Sequence, residues 1–269
     1  MLLNVTKITK LRGTMIMPAS STVKKLSIAA FGAVATIGVF ASATNAAVLV
    51  QYNFDAGTTS ATAGLVPSTV DSNVTSNTFS GVGAIPNTGG GVTNTNYASG
   101  NPNTGLAINF QGWPTGAVDP GDYYTFTITP KAGIRMNIDN ITLDERSSST
   151  GPRNMVIRSN NNDINYNTNI GGPFTLSPVQ NGTNPPNNGF STYTTGTLGS
   201  SFTNLTQAVT FRIYGYNAGG TGGTMRLDNV TVNGTAVPEP LTMIGWGSAM
   251  VLGASLKRKF NSNKKSIVS

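Results

Sequence analysis

Apolar and polar side chains alternate along several short stretches of the chain. Tyr124, Phe126 and Ile128 share one parity, and Thr125, Thr127 and Thr129 the other. Val209, Phe211 and Ile213 alternate in the same way with Thr210, Arg212 and Tyr214. Period two places successive side chains on opposite faces of a strand. Val48 to Phe54, Leu106 to Phe110 and Asn154 to Arg158 read as further strands. Gly-Gly, Asn-Gly and Asn-Pro pairs mark turns between them. No stretch between residues 47 and 234 sustains a helical period. The middle of the chain is therefore expected to be all-β, an antiparallel two-sheet sandwich.

One pattern recurs. Met136 to Leu143 and Met225 to Val232 share the form Met-x-aliphatic-Asp-Asn-β-branched-Thr-aliphatic. Ile138 and Ile141 are three apart, so a regular pleat would send them to opposite faces. One extra residue at Asp139-Asn140, a β-bulge, would return both to the core. The echo therefore predicts two long, bulged strands in corresponding places. Thr58 to Gly100 and Asn160 to Gly189 lack a pattern and read as edge strands and surface loops. Val74, Phe79 and Ile85 are the few apolar anchors of the first.

The two ends differ from this middle. Lys24-Lys25, the apolar run Leu26 to Phe40 and the small residues before Ala47 have the order of a secretory signal peptide. Cleavage is expected between Ala46 and Ala47, with Ala41-Ser42-Ala43 a second candidate and Met17 a candidate start. An uncleaved N-terminal anchor is the alternative. At the other end, Pro238-Glu239-Pro240 precedes an uncharged stretch, Leu241 to Leu256, and then Lys257-Arg258-Lys259. Prolines hold the tripeptide extended. The apolar run predicts a transmembrane helix over 241–256, with a buried core helix as the alternative. Sixteen residues at about 1.5 Å each reach roughly 24 Å, short of the roughly 30 Å hydrocarbon layer. The adjoining basic cluster can snorkel to make up the difference and should face the cytoplasm.

This tail resembles the PEP-CTERM sorting signal. The resemblance rests on Pro238, Glu239, Pro240, the apolar stretch and Lys257, Arg258 and Lys259. It implies export through the secretion translocon, transient anchoring in the inner membrane and cutting by an exosortase-type transpeptidase. It also implies an exopolysaccharide-producing Gram-negative bacterium as host. The middle region, from Phe211-Arg212-Ile213-Tyr214-Gly215-Tyr216 to Arg226-Leu227-Asp228-Asn229-Val230, looks like the jelly-roll ectodomains that precede such signals. The expected organisation is a leader over 1–46, a jelly-roll-like ectodomain over 47–234 and the sorting signal over 235–269.

Composition narrows the chemistry. The 269 residues contain no Cys and no His. That excludes disulfides, thiolate metal sites and Ser-His-Asp catalysis. The net charge of +7 would suggest nucleic acid, but the basic residues sit in the ends. Residues before Ala47 carry +5 and those from Val237 onward +4, leaving −2 on the middle. A nucleic-acid partner needs clustered positive charge, so none is expected.

Asp144-Glu145-Arg146 is the densest charged group of the middle. Its carboxylates could serve glycoside hydrolysis or pair with Arg146, Arg153 or Arg158. Neighbouring strand residues face opposite ways, which favours pairing. Asp119 and Asp122 flank Pro120-Gly121 and suit either Ca²⁺ or a plain turn. Asn160 to Asp163 is a weaker metal loop. Trp113 is either a sugar-stacking platform or a loop anchor, and Tyr97, Tyr193 and Tyr216 are further exposed-aromatic candidates. The chain is read as a non-enzyme without cofactor, bound Ca²⁺ apart. It is expected at the cell surface or in the matrix, structural or adhesive in role, or a carbohydrate-binding module. A secreted glycan-active enzyme is a third reading.

Overall fold

The computed structural model describes residues 46–58, 63–86, 97–101, 105–178 and 189–239. The expected signal peptide, the transmembrane stretch 241–256, Pro240 and the basic cluster Lys257, Arg258 and Lys259 lie outside them. Among the described residues no helix is long and apolar enough to cross a membrane.

Fourteen strands carry the described chain. In order they are β1 Ala47–Tyr52, β2 Thr69–Val70, β3 Val74–Ser76, β4 Ser80–Val82, β5 Ile85–Pro86, β6 Tyr97–Ser99 and β7 Leu106–Gln111. The second half has β8 Tyr123–Pro130, β9 Ile134–Ser147, β10 Asn154–Ser159, β11 Phe174–Thr175, β12 Ser191–Thr194, β13 Val209–Tyr216 and β14 Thr224–Pro238. They form two antiparallel sheets. One runs β12-β9-β14-β1-β2, with β7 also against β14 and with β5 and β6 on β7. The other runs β11-β10-β13-β8-β3, with β4 on β8. The alternating stretches are β8 and β13, and their apolar parity faces the space between the sheets. Rings of Tyr52, Phe79, Tyr124, Phe126 and Phe211 meet there at centroid distances of 5.2 to 5.8 Å, a spacing typical of packed aromatic pairs.

The two echoing segments lie in β9 and β14, which pair with each other. β14 gains a residue between Asp228 and Thr231, and β9 gains one between Ile138 and Asn140. Each bulge thus falls at its Asp-Asn. The result is the expected one: Ile138 and Ile141 are both buried, as are Leu227 and Val230. Asn229 takes a φ of 48° at its bulge, a left-handed conformation that Asn tolerates better than branched residues. On the same side β14 pairs with β7 before this bulge and with β1 after it. The extra residue sits where the neighbouring strand changes.

The poorly patterned segment after β1 contributes β2 to β6, each two or three residues long. Val74 and Phe79 anchor it in the core, but Ile85 is 59% exposed. Ile85 lies on a two-residue strand paired only to β7, so nothing covers it.

Both ends of the described chain meet on one sheet. Ala47 opens β1 opposite Gly234, and Pro238 closes β14 opposite Ile134. The Glu239 N–H then donates to the Gly133 carbonyl at 2.8 Å. Pro238 is therefore a sheet residue, and Glu239 is tied to the turn before β9. Proline lacks an N–H, so the pairing is completed by the residue after it.

Candidate functional site

The outward face of the second sheet carries a stack of arginine and tyrosine. Arg212 of β13 stands beside Arg158 of β10 and Thr125 of β8 in register. Tyr123 lies 4.2 Å and Tyr166 3.8 Å from the Arg212 guanidinium, measured to the ring centroids. Both distances are within cation–π range. Tyr214 packs on Tyr123 at 5.5 Å, and Arg158 lies over the Tyr214 ring. Tyr214 shares the outward parity of Arg212, yet it is buried, because these neighbours cover it.

Tyr166 reaches this face from the loop after β10. Arg158 holds that loop down, donating from Nη1 to the Tyr166 carbonyl at 2.7 Å and from Nε to Asn169 at 2.8 Å. Asp163 closes the loop on itself by accepting the N–H groups of Asn165 and Asn167. Those N–H groups, Asn165 first, hold its carboxyl below the ordinary range. Asp163 thus closes a turn of the loop. Tyr166 itself sits at φ 56°. A left-handed conformation costs a non-glycine residue about 1–2 kcal/mol.

The same loop forms one wall of an open cleft of about 230 Å³. Asn162 and Asn169 come from the loop, Thr195, Thr197 and Ser201 from the segment after β12, and Phe202 from its floor. Asn169 links the cleft to Arg158. The lining offers amide and hydroxyl groups over a small apolar base, a surface suited to a polyhydroxylated ligand. At roughly 300–1,000 Å³ a drug-sized pocket is larger.

Asp144 and Glu145 do point to opposite faces. Glu145 enters the sandwich core at 2% exposure, and its Oε1 has no hydrogen-bond partner. Burial raises its pKa well above the ordinary glutamate value. Asp144 lies on the outer face opposite Asp228. Its carboxylate accepts from Thr192 at 2.6 Å, Asn229 at 2.9 Å and Asn101 at 3.1 Å. Asp144 is thus held by hydroxyl and amide donors, and Glu145 is closed inside the core. Asp228 is 1% exposed and accepts from the backbone N–H groups of Asn101 and Asn229. Burial pushes it up to about 7, with Asp55 and Asp144 adding repulsion. Gly100 packs so close that a Cβ would lie 2.5 Å from the Asp228 carboxylate. The group ties the strand β6 and its following turn to the bulge of β14.

Asp119 and Asp122 share a turn. Asp119 Oδ1 accepts the Gly121 N–H at 2.8 Å, and the Asp122 N–H donates to the Asp119 carbonyl. Burial, then Asp119, raises the Asp122 pKa. Among the described residues no three acidic side chains converge in a metal-holding group. Trp113 is a correction to the platform reading: it is fully buried, with Nε1 donating to the Phe110 carbonyl at 3.0 Å. Its ring lies 5.2 Å from Tyr124, so no face is open to a sugar. Tyr97 is likewise buried, while Tyr193 and Tyr216 are half-buried.

No protein-family model matches the chain, and no curated protein matches it. Solved structures resemble it at low similarity. The K3 adhesin domain of Lys-gingipain from Porphyromonas gingivalis is 11% identical, with 69% of this chain and 99% of that one covered and a TM-score of 0.38. A Stig cyclase from Fischerella is 16% identical, with 75% and 93% covered and a TM-score of 0.27. The family 11 carbohydrate-binding module of a Clostridium thermocellum cellulase is 12% identical, with 72% and 97% covered and a TM-score of 0.26. These neighbours differ in activity among themselves, and the reading below rests on this chain's own residues.

Proposed function

We propose that the chain is an exported surface or matrix protein whose jelly-roll-like sandwich holds extracellular polysaccharide. The export half rests on the leader and on the tail with Pro238, Glu239 and Pro240 ahead of an apolar stretch and Lys257, Arg258 and Lys259. Its implied partners are the translocon and an exosortase-type transpeptidase. The meeting of Ala47 and Gly234 on adjacent strands supports this half. Ala47 and Pro238 thus lie toward the same end of one sheet, as two cuts at one membrane would need.

The binding half is carried by the cleft of Asn162, Asn169, Thr195, Thr197 and Ser201. Hydroxyl and amide groups on a shallow, open surface match a sugar chain better than an engulfed metabolite. Catalysis has little support, since Asp144 and Glu145 face apart and Glu145 is closed inside the core. Gly199 provides the test. A Cβ there meets nothing within 4 Å, so Gly199→Leu fills the cleft without strain. Full-length protein on a glycan array is expected to retain polysaccharides that the variant releases. Identical retention by both would place binding elsewhere, and no retention by either would end the binding half.

A further inference from the structure

We infer that the polysaccharide is an acidic one, bearing uronate-type carboxylates, and that Arg212 is the residue that reads the charge. This rests on the glycan reading above and adds the class of sugar. Three observations point to it. The Arg212 guanidinium is held over the rings of both Tyr123 and Tyr166. Ring contacts engage its charge and do not use up its N–H hydrogen bonds. A guanidinium so placed matches a carboxylate through two parallel hydrogen bonds.

The second observation is the lack of a carboxylate partner. Among the described residues no carboxylate acts on Arg212; the groups around it are Tyr214, Tyr123 and Tyr166. Its Nε and the Tyr214 hydroxyl are buried beside each other, and Tyr214 is its hydrogen-bonding neighbour. Asp163, on the same loop, is occupied by Asn165 and Asn167. Arg158 bonds only to amide and carbonyl oxygens. A sandwich whose middle carries a net −2 therefore gathers two guanidinium groups on one face with no acid to match them. An incoming carboxylate would supply that match.

The third is the strained Tyr166, held at φ 56° by the bond from Arg158. Strain of this kind gathers at binding sites, where it fixes a contact in advance. A guanidinium fixed before the ligand arrives loses less freedom on binding. Asn169 places the cleft next to Arg158, so a sugar unit in the cleft would bring a neighbouring carboxylate toward Arg212.

The test measures binding of the full chain to polygalacturonate and to neutral dextran by affinity electrophoresis, in low and high salt, with melting followed in parallel. Polygalacturonate is expected to bind, with affinity at least tenfold weaker in high salt and in Arg212→Gln. Arg212→Lys should lose most of that affinity as well, because the ammonium keeps the charge but not the stacked plane. Should Arg212→Gln not fold, Tyr166→Ala, on the loop, carries the same expectation. Equal binding of polygalacturonate and dextran overturns the acidic class and leaves the glycan reading intact. Undiminished polygalacturonate binding in a folded variant overturns the role of Arg212. Binding of neither polymer overturns both this inference and the reading beneath it.

Discussion

Asp228 should make this protein more stable in mild acid than at neutral pH, against the usual trend. Its carboxyl is 1% exposed, faces Asp144 across the strand pair and accepts only two backbone N–H groups. Burial raises it from 3.8 to about 7. The folded chain therefore keeps a proton that the unfolded chain releases. The associated stability is fully present below about pH 3.8 and is lost as pH rises through about 7. At about 1.4 kcal/mol per pH unit, that interval amounts to roughly 4 kcal/mol. For a domain of this size the equivalent shift in melting temperature is on the order of 10 °C. Urea unfolding midpoints at pH 4, 5.5, 7 and 8 would measure it. Asp228→Asn removes the titration and should flatten most of the slope. It should also cost about 1–3 kcal/mol in acid, where the native carboxyl is protonated, because one N–H then faces an amide, and that deficit should close as pH rises towards about 7. Midpoints that stay level or rise from pH 4 to pH 7 in the native sequence would refute the reasoning.

Other expectations follow from the same contacts. Glu145→Gln should match the native sequence at pH 4 and exceed it at pH 8. The raised pKa means that stability is present below the ordinary glutamate range and lost as pH climbs, and thermal melts at both values would compare them. Trp113→Ala should cost about 3–5 kcal/mol, as large core truncations do, and leave glycan retention unchanged below its melting point. Calorimetry with a binding assay on the same sample would separate the two effects. A four-residue Gly-Ser insert between Val237 and Pro238 should speed trimming by an exosortase-type host. It frees Pro238 and Glu239 from Ile134 and Gly133, and pulse-chase labelling would reveal an unaltered rate if that pairing is irrelevant.

Strands β8 and β13 could be read from alternation because one face of each is buried and the other is not. The bulges of β9 and β14 could be read because Ile138 and Ile141 cannot share a face of a regular pleat. That the two echoing strands are neighbours could not be read, since pairing depends on contacts 93 residues apart in sequence (Asn140 with Asn233). The short strands from Thr69 to Pro86 have no pattern of their own and take their form from β1, β7 and β8. The arginine–tyrosine stack was half visible. Alternation placed Arg212 and Tyr214 together on the outward parity, but Tyr123 and Tyr166 arrive from β8 and a loop. Trp113 was left open between platform and loop anchor because a ring beside Gly112 and Pro114 looks the same in sequence whether it faces solvent or core; it is buried. Asp144 and Glu145 were separated correctly by parity; that Asn101 and Thr192 donate to Asp144 could not be read, since both arrive from other strands and turns.

The central claim is that two hydrophobic ends address a sandwich for export and are then removed. Intact mass spectrometry of the protein recovered from its host's surface or matrix tests this most directly. The account predicts a chain that begins at Ala47 and ends at or near Pro238-Glu239-Pro240. A surface product that still carries residues 1–46 and 241–269 would contradict it.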